Sequence, residues 1–240
     1  MAGEGVIIDT YVVPTWRSHL LASMAHRVAK GLVGGCALLL GVMVSGCAAP
    51  QYTYVANSGA NTYFKVPHTW HQIGPGALSA VLRAETGGSG GGWTVAYEGG
   101  TKPTADDFLS FANSQPFVFA EIGTLNSTAS NELSYDTLRD FFLPVTSTAR
   151  QNASAQGFPL TGFKQIRDQT LSLSQGVHGV RETYDYTSAG GAADTFDMDA
   201  LTNADQTVVY LLVIHCTTSC YSNQQTDIND VMSSFTVRSP

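Results

Sequence analysis

From Phe163 onward the sequence reads as strand after strand, and no other feature limits the fold so strongly. Phe163 to Leu173, Val177 to Tyr186, Asp194 to Leu201 and Thr207 to Cys216 are separated by Gly-rich or Asn-Asp turns. That is the pattern of an antiparallel meander. In the last of these runs Val208, Val209, Tyr210, Leu211, Leu212, Val213 and Ile214 are apolar without interruption. A strand with no polar face belongs in the middle of a sheet, covered on both sides. Beyond it, Ile228, Val231, Met232 and Phe235 recur at i, i+3, i+4 and i+7, the spacing of a helix that lays one apolar face on the sheet. Phe235 to Arg238 then finishes extended.

The first half of the chain is more broken. Thr62 to Val66 reads as a strand stopped by Pro67, with Trp70 expected under the sheet. Ala77 to Ala84 is a short helix carrying Leu78, Val81 and Leu82, and GGSGGG (87–92) is a flexible link, since no Gly-Lys-Ser/Thr follows it as a phosphate loop requires. Trp93 to Glu98 and Phe117 to Leu125 read as strands. Thr104 opens a capped turn with Asp106 and Asp107 at its positive end. Ser134 caps a helix through Leu143, presenting Tyr135, Leu138 and Phe142, and Val145 to Gly162 is a long surface loop.

Upstream of all this, Gly31 to Gly46 is apolar and uncharged, preceded by Arg27 and Lys30 and ending in small residues, as in a signal peptide. Its 16 residues fall short of the roughly 20 that a membrane span needs. Val44-Ser45-Gly46-Cys47 is similar to a bacterial lipobox, in which cleavage follows Gly46 and Cys47 becomes a lipid-modified N-terminus. The leader would span residues 1–46, with Met24 the better start because Glu4 and Asp9 precede it. Residues 47–60 then form a lipidated tether and 61–240 a single globular domain. Removing 46 of 240 residues takes away Arg17, Arg27, Lys30, Glu4 and Asp9, leaving 194 residues with 9 basic and 17 acidic side chains, a net charge of −8. An acidic surface argues against nucleic acid as a partner.

With Cys36 lost in the leader and Cys47 acylated, Cys216 and Cys220 are the thiols that remain. Outside the cytosol such a pair forms a disulfide, and a loop this short contributes only roughly 2 kcal/mol, a local clamp. Ser222 or Asn223 would cap the helix that follows. A redox pair is more typically spaced C-x-x-C, and a metal site would have to recruit His215.

Phe64-Lys-Val66-Pro67-His-Thr-Trp70, the strands around Gly179, the Val208 to Ile214 run and the closing Ile228-x-x-Val231-x-Ser-Ser234-Phe235 together resemble the exported PsbP-like lipoproteins of actinobacteria. The resemblance covers about Thr62 to Ser110 and Phe163 to Arg238. It implies an α+β fold, a central antiparallel sheet sandwiched by helices, and no family-wide catalytic set. The Ser89 region and 145–162 are longer than the pattern.

The chemistry motifs are mainly missing. There is no G-x-S-x-G, H-E-x-x-H or S-x-x-K set, so no catalytic residue, cofactor or metal is assigned. His68 and His71 follow Pro67 with no carboxylate close in sequence, and Asp197 and Asp199 share a strand face expected to be wet. The expected function is a membrane-anchored extracytoplasmic lipoprotein, non-enzymatic, that binds a protein or cell-envelope partner. The alternatives are a carrier of a lipid or other apolar ligand, which needs an apolar cavity, and an envelope hydrolase, which needs His68, His71 or His178 beside a carboxylate or Ser in a cleft.

Overall fold

In a computed structural model, residues 50–86, 92–100, 102–111 and 113–238 are described. The leader, Gly46, Cys47 and most of the Gly-rich link lie outside these residues.

The four C-terminal strands form as their periodicity dictates. β6 (Thr161–Ser172), β7 (His178–Thr187), β8 (Ala193–Thr202) and β9 (Val208–Thr217) follow the chain order in strand numbering used below, after β1 (Tyr52–Asn57), β2 (Thr62–Pro67), β3 (His71–Gln72), β4 (Trp93–Glu98) and β5 (Phe117–Thr124). The last strand is β10 (Thr236–Val237), and the helices are α1 (Pro75–Thr86), α2 (Ser127–Glu132), α3 (Tyr135–Arg139), α4 (Ser147–Ala155), α5 (Thr218–Asn223) and α6 (Gln225–Ser234). Seven strands make one sheet in the order β3-β4-β5-β9-β8-β7-β6, every pairing antiparallel, and β1-β2-β10 make a second, small sheet. The fold is α+β, with helices on both faces of the large sheet.

β9 occupies the centre, and Val209 through Cys216 are all buried. Because side chains alternate, Val209, Leu211 and Val213 enter one core with Phe117, Phe119, Phe196 and Met198, under α1 to α3. Tyr210, Leu212, Ile214 and Cys216 enter the other, with Ile228, Val231, Met232 and Phe235 of the α6 face. Phe235 meets Phe64 edge-on at 6.5 Å, which joins α6 to the small sheet, and Trp70 is buried in the same core. Each such side chain contributes about 1.5–3 kcal/mol by leaving water, so two full cores hold the sheet between its layers.

Several expectations are corrected. Within the 47–60 segment read as a tether, Tyr52–Asn57 is a strand paired along its whole length with β2, and Val55 is buried against the core. The hydroxyl of Tyr52 donates to Asp230 of α6 at 2.5 Å, so its large polar ring is a fastening rather than a solvated spacer. The 145–162 segment is not a plain loop, since its middle is α4. The helix begun at Ser134 ends at Arg139, where the chain turns at Asp140 and is held by that carboxylate. After β9 the helix cap is Thr217, whose hydroxyl accepts from the amide of Cys220, and neither Ser222 nor Asn223 caps α6.

Cys216 and Cys220 are bonded to one another, their Cα atoms 5.9 Å apart. Strand end and first helical turn are therefore joined covalently. Because the Thr217 cap and the packing of Cys220 persist without it, the double Cys→Ser variant is expected to fold with a melting temperature lowered by a few degrees. Collapse of its unfolding transition would show that the bridge is required for folding.

Candidate functional site

Titratable side chains are concentrated on the two faces of the β6-β7-β8 end of the sheet, and one face is structural by its geometry. On the α6 side, Arg181 grips Asp199 with two hydrogen bonds of 2.6 and 2.5 Å and donates a third to the carbonyl of Met232 in α6. Asp197 accepts from Tyr221 at 2.8 Å and from Thr183 at 3.3 Å. Asp197 and Asp199 do share a face, but it is the buried one, only 1% and 4% exposed. Alternation along β8 gave their common direction; partners on β7 and α5 decided that the direction was inward. Burial pushes Asp199 up to about 6 against the pull of Arg181, and it raises Asp197 against the hydrogen bond from Tyr221.

On the opposite face, Glu182 and Asp168 stand across the β6–β7 ladder. Arg139 reaches them from α3, at 2.9 Å from Asp168 and 3.2 Å from Glu182, while Gln165 donates to Glu182 at 3.0 Å. Burial, and then the hydrogen bond it shares with Asp168, lift Glu182 to about 8. Asp168, against a burial effect that would raise it, is held low by hydrogen bonds from Arg139 and Glu182. Two carboxyls driven apart in this way are a familiar acid–base arrangement. Here Glu182 is wholly buried and capped by Arg139, so a reacting group has no room beside its oxygens. The pair is a proton-sharing fastening between α3 and the sheet.

Asp194 and His215 lie inside the same core without hydrogen-bond partners among the described residues. Burial raises Asp194 to about 7 and lowers His215 to about 4, so at about pH 7 the imidazole is neutral and the carboxyl is about half protonated. His215 is stacked on Phe196, ring centroids 5.2 Å apart, which is the packing of a core aromatic rather than a ligand.

The histidines of the hydrolase reading do not converge. His68 and His71 are both exposed, and His71 is paired in β3 with Glu98 of β4. His178 contacts the carbonyl of Gly176 at 3.0 Å and meets Tyr135 edge-on, beside a small cavity of about 250 Å³ that also touches Ser134 and Thr202. Among the described residues, no three His, Cys, Asp or Glu side chains gather as metal ligands.

A larger opening is a groove of about 660 Å³ between α4 and the start of β6. Its wall is α4, a helix that buries none of its residues. The apolar stripe that would announce a packed helix is missing, which is why the sequence reads there as loop. Local devices position it instead. The Asp140 carboxylate accepts from the amides of Val145 and Thr146, both at 2.7 Å, and from the Thr146 hydroxyl at 2.6 Å. Thr146 in turn caps the helix at Ala149, and Gly157, with φ of +80°, turns the chain away at the far end. Tyr186 bonds to the carbonyl of Pro144 and ties the approach to the sheet. Across the groove stand Phe158, Leu160, Phe163 and Tyr186; Arg150 lies over the Phe163 ring at 4.2 Å and donates from Nε to the Val145 carbonyl at 3.1 Å.

No family model matches the sequence, and no curated protein matches it. Among solved structures the chain is similar to PsbP (CyanoP) from Synechocystis sp. PCC 6803, with a TM-score of 0.48 and 14% identity over 80% of this chain and 96% of that one. It is also similar to LpqN of Mycobacterium tuberculosis, described as involved in cell envelope biogenesis, with a TM-score of 0.45 and 14% identity over 79% of this chain and 91% of that one. A third is the Ran-binding protein Mog1p of Saccharomyces cerevisiae, with a TM-score of 0.40 and 9% identity over 78% of this chain and 95% of that one. None of these overlaps assigns a function to this chain.

Proposed function

We propose that this chain is an extracytoplasmic lipoprotein, anchored by lipid on Cys47, whose domain binds a protein or cell-envelope partner without catalysing a reaction. The observation that carries the binding role is the contrast between two kinds of polar group. The carboxyls that burial pushes upward on this end of the sheet, Glu182, Asp194, Asp197 and Asp199, are themselves buried, whereas the groove beside α4 is open and lined with hydrogen-bonding side chains. A carrier of apolar ligands would need a dry cavity between sheet and helices; among the described residues those spaces hold the two side-chain cores, and the cavity beside His178 is about 250 Å³, below the usual size of a small-molecule site. Export is supported by the lipobox-like Val44 to Cys47 and by the Cys216–Cys220 bridge, a bond that persists in oxidising compartments.

Lipid chains on one residue exceed the two-signal threshold for stable attachment to a membrane. Cys47→Ala should therefore move the protein from the membrane fraction to the soluble or culture fraction. Retention of the variant in membranes would overturn the lipid anchor and leave the apolar run itself as the attachment.

A further inference from the structure

We propose that the groove between α4 and the start of β6 is a binding site for an acidic sugar, its carboxylate on Arg150 and its hydroxyls along α4. The inference deepens the binding role proposed above and rests on it, but it is independent of how the protein is anchored.

Three features of the groove choose the ligand. The first is the cation. Arg150 is fixed from two sides, by the ring of Phe163 and by the carbonyl of Val145, and among the described residues no carboxylate lies within ion-pair distance of it. Of the other arginines at this end of the sheet, Arg139 and Arg181 are neutralised by aspartates, and Arg167 is exposed on β6 and outside the groove. A guanidinium held in place with its terminal amino edge unclaimed by an acid matches a carboxylate in two-pronged fashion. In a domain with nearly twice as many acidic as basic side chains, an unpaired and immobilised arginine is notable.

The second feature is the polar stripe. Ser147, Arg150, Gln151 and Ser154 fall at i, i+3, i+4 and i+7 and all line the groove, while Ala149 and Ala153 rest half-buried on the domain. Hydroxyls and an amide spaced along one helix face suit a ligand with several hydroxyls, which a fatty acid or simple aromatic acid lacks. The third is the facing wall. Phe158 and Phe163, both half-buried, give apolar surface for the carbon face of a ring, for which an inorganic anion has no use. The volume of about 660 Å³ lies within the usual range for small-molecule sites.

The construction of the wall supports the same conclusion. A helix that buries nothing gains little from packing, yet Asp140, the Thr146 cap, Gly157 and the Tyr186–Pro144 contact all fix its place. Such fixing has the form of a preorganised site.

The test is calorimetric titration of the purified full-length protein with D-glucuronic acid, D-glucose and inorganic phosphate, repeated on Arg150→Gln and on Ser154→Trp, which fills the groove from an exposed position. Thermal unfolding of each variant confirms that it is folded. Glucuronic acid should bind saturably, with glucose and phosphate each about tenfold weaker or worse, and each variant should lose about tenfold or more for glucuronic acid. Three results would overturn the site: no saturable binding of glucuronic acid, glucose or phosphate binding as tightly as it does, or unchanged binding by both variants. Membrane retention of Cys47→Ala is scored separately, so the anchor and the sugar site fail independently.

Discussion

Arg181→Ala is expected to destabilise the domain by about 3–5 kcal/mol at neutral pH, the cost of leaving a buried carboxylate without its cation. The estimate rests on position: Asp199 is 4% exposed, takes both of its strong hydrogen bonds from Arg181, and has Asp197 two residues along the same face. The same arginine holds the Met232 carbonyl, so its loss also loosens α6. The deficit should shrink in acid. A carboxyl whose folded value is raised, here to about 6, favours folding most below its unfolded value and loses that contribution as pH rises through the folded value. Removing Arg181 takes away an influence that lowers Asp199, so the carboxyl in the variant is protonated over a wider range. Denaturant unfolding at pH 7.5 and pH 5 decides the point. Equal losses at both would mean that Asp199 is solvated in the variant and that the buried pair is not what holds this edge.

Gly179→Ala should be comparably damaging, for a reason of space rather than charge. A Cβ at position 179 would sit 2.1 Å from the Ala200 carbonyl oxygen and 2.7 Å from the Leu201 Cα. Both neighbours are backbone of the paired strand, so no side chain can swing aside and β7 and β8 must separate. Overpacking a core costs about 1–3 kcal/mol, and a backbone collision falls at or beyond the top of that range. Gly74→Ala is the control, because a Cβ there meets nothing within 4 Å. Similar unfolding midpoints for the two variants would show that the ladder yields at Gly179 without cost.

What was legible in the sequence follows from how local each cause is. The β6 to β9 meander was readable because alternation and turn chemistry are written in consecutive residues, and β9 because a run apolar on both faces admits one place in a sheet. The α6 face was readable for the same reason. β1 was not: only Val55 in Tyr52–Asn57 is buried, and what makes the segment a strand is β2, with Asp230 fastening its first tyrosine. α4 was missed because it has no buried stripe, its cause being a carboxylate at Asp140 and a cap at Thr146. The burial of Asp197 and Asp199 was missed because Arg181 and Tyr221 come from other elements. For the groove, the extra length of 145–162 was a signal, but nothing near Arg150 in sequence reveals that Phe163 stands beneath it.

Because β1 begins at Tyr52, only five peptide steps separate its first residue from Cys47. Covalent geometry limits five steps to about 18 Å. Where Cys47 carries the lipid, the domain is therefore on a short leash, confined to a shell next to the bilayer rather than free to sweep the space beyond it. β1 and β2 pack with α6 on one face of the large sheet, and the groove opens on the other. The leash would then hold the face that carries β1 closer to its attachment point than the face on which the α4 groove opens.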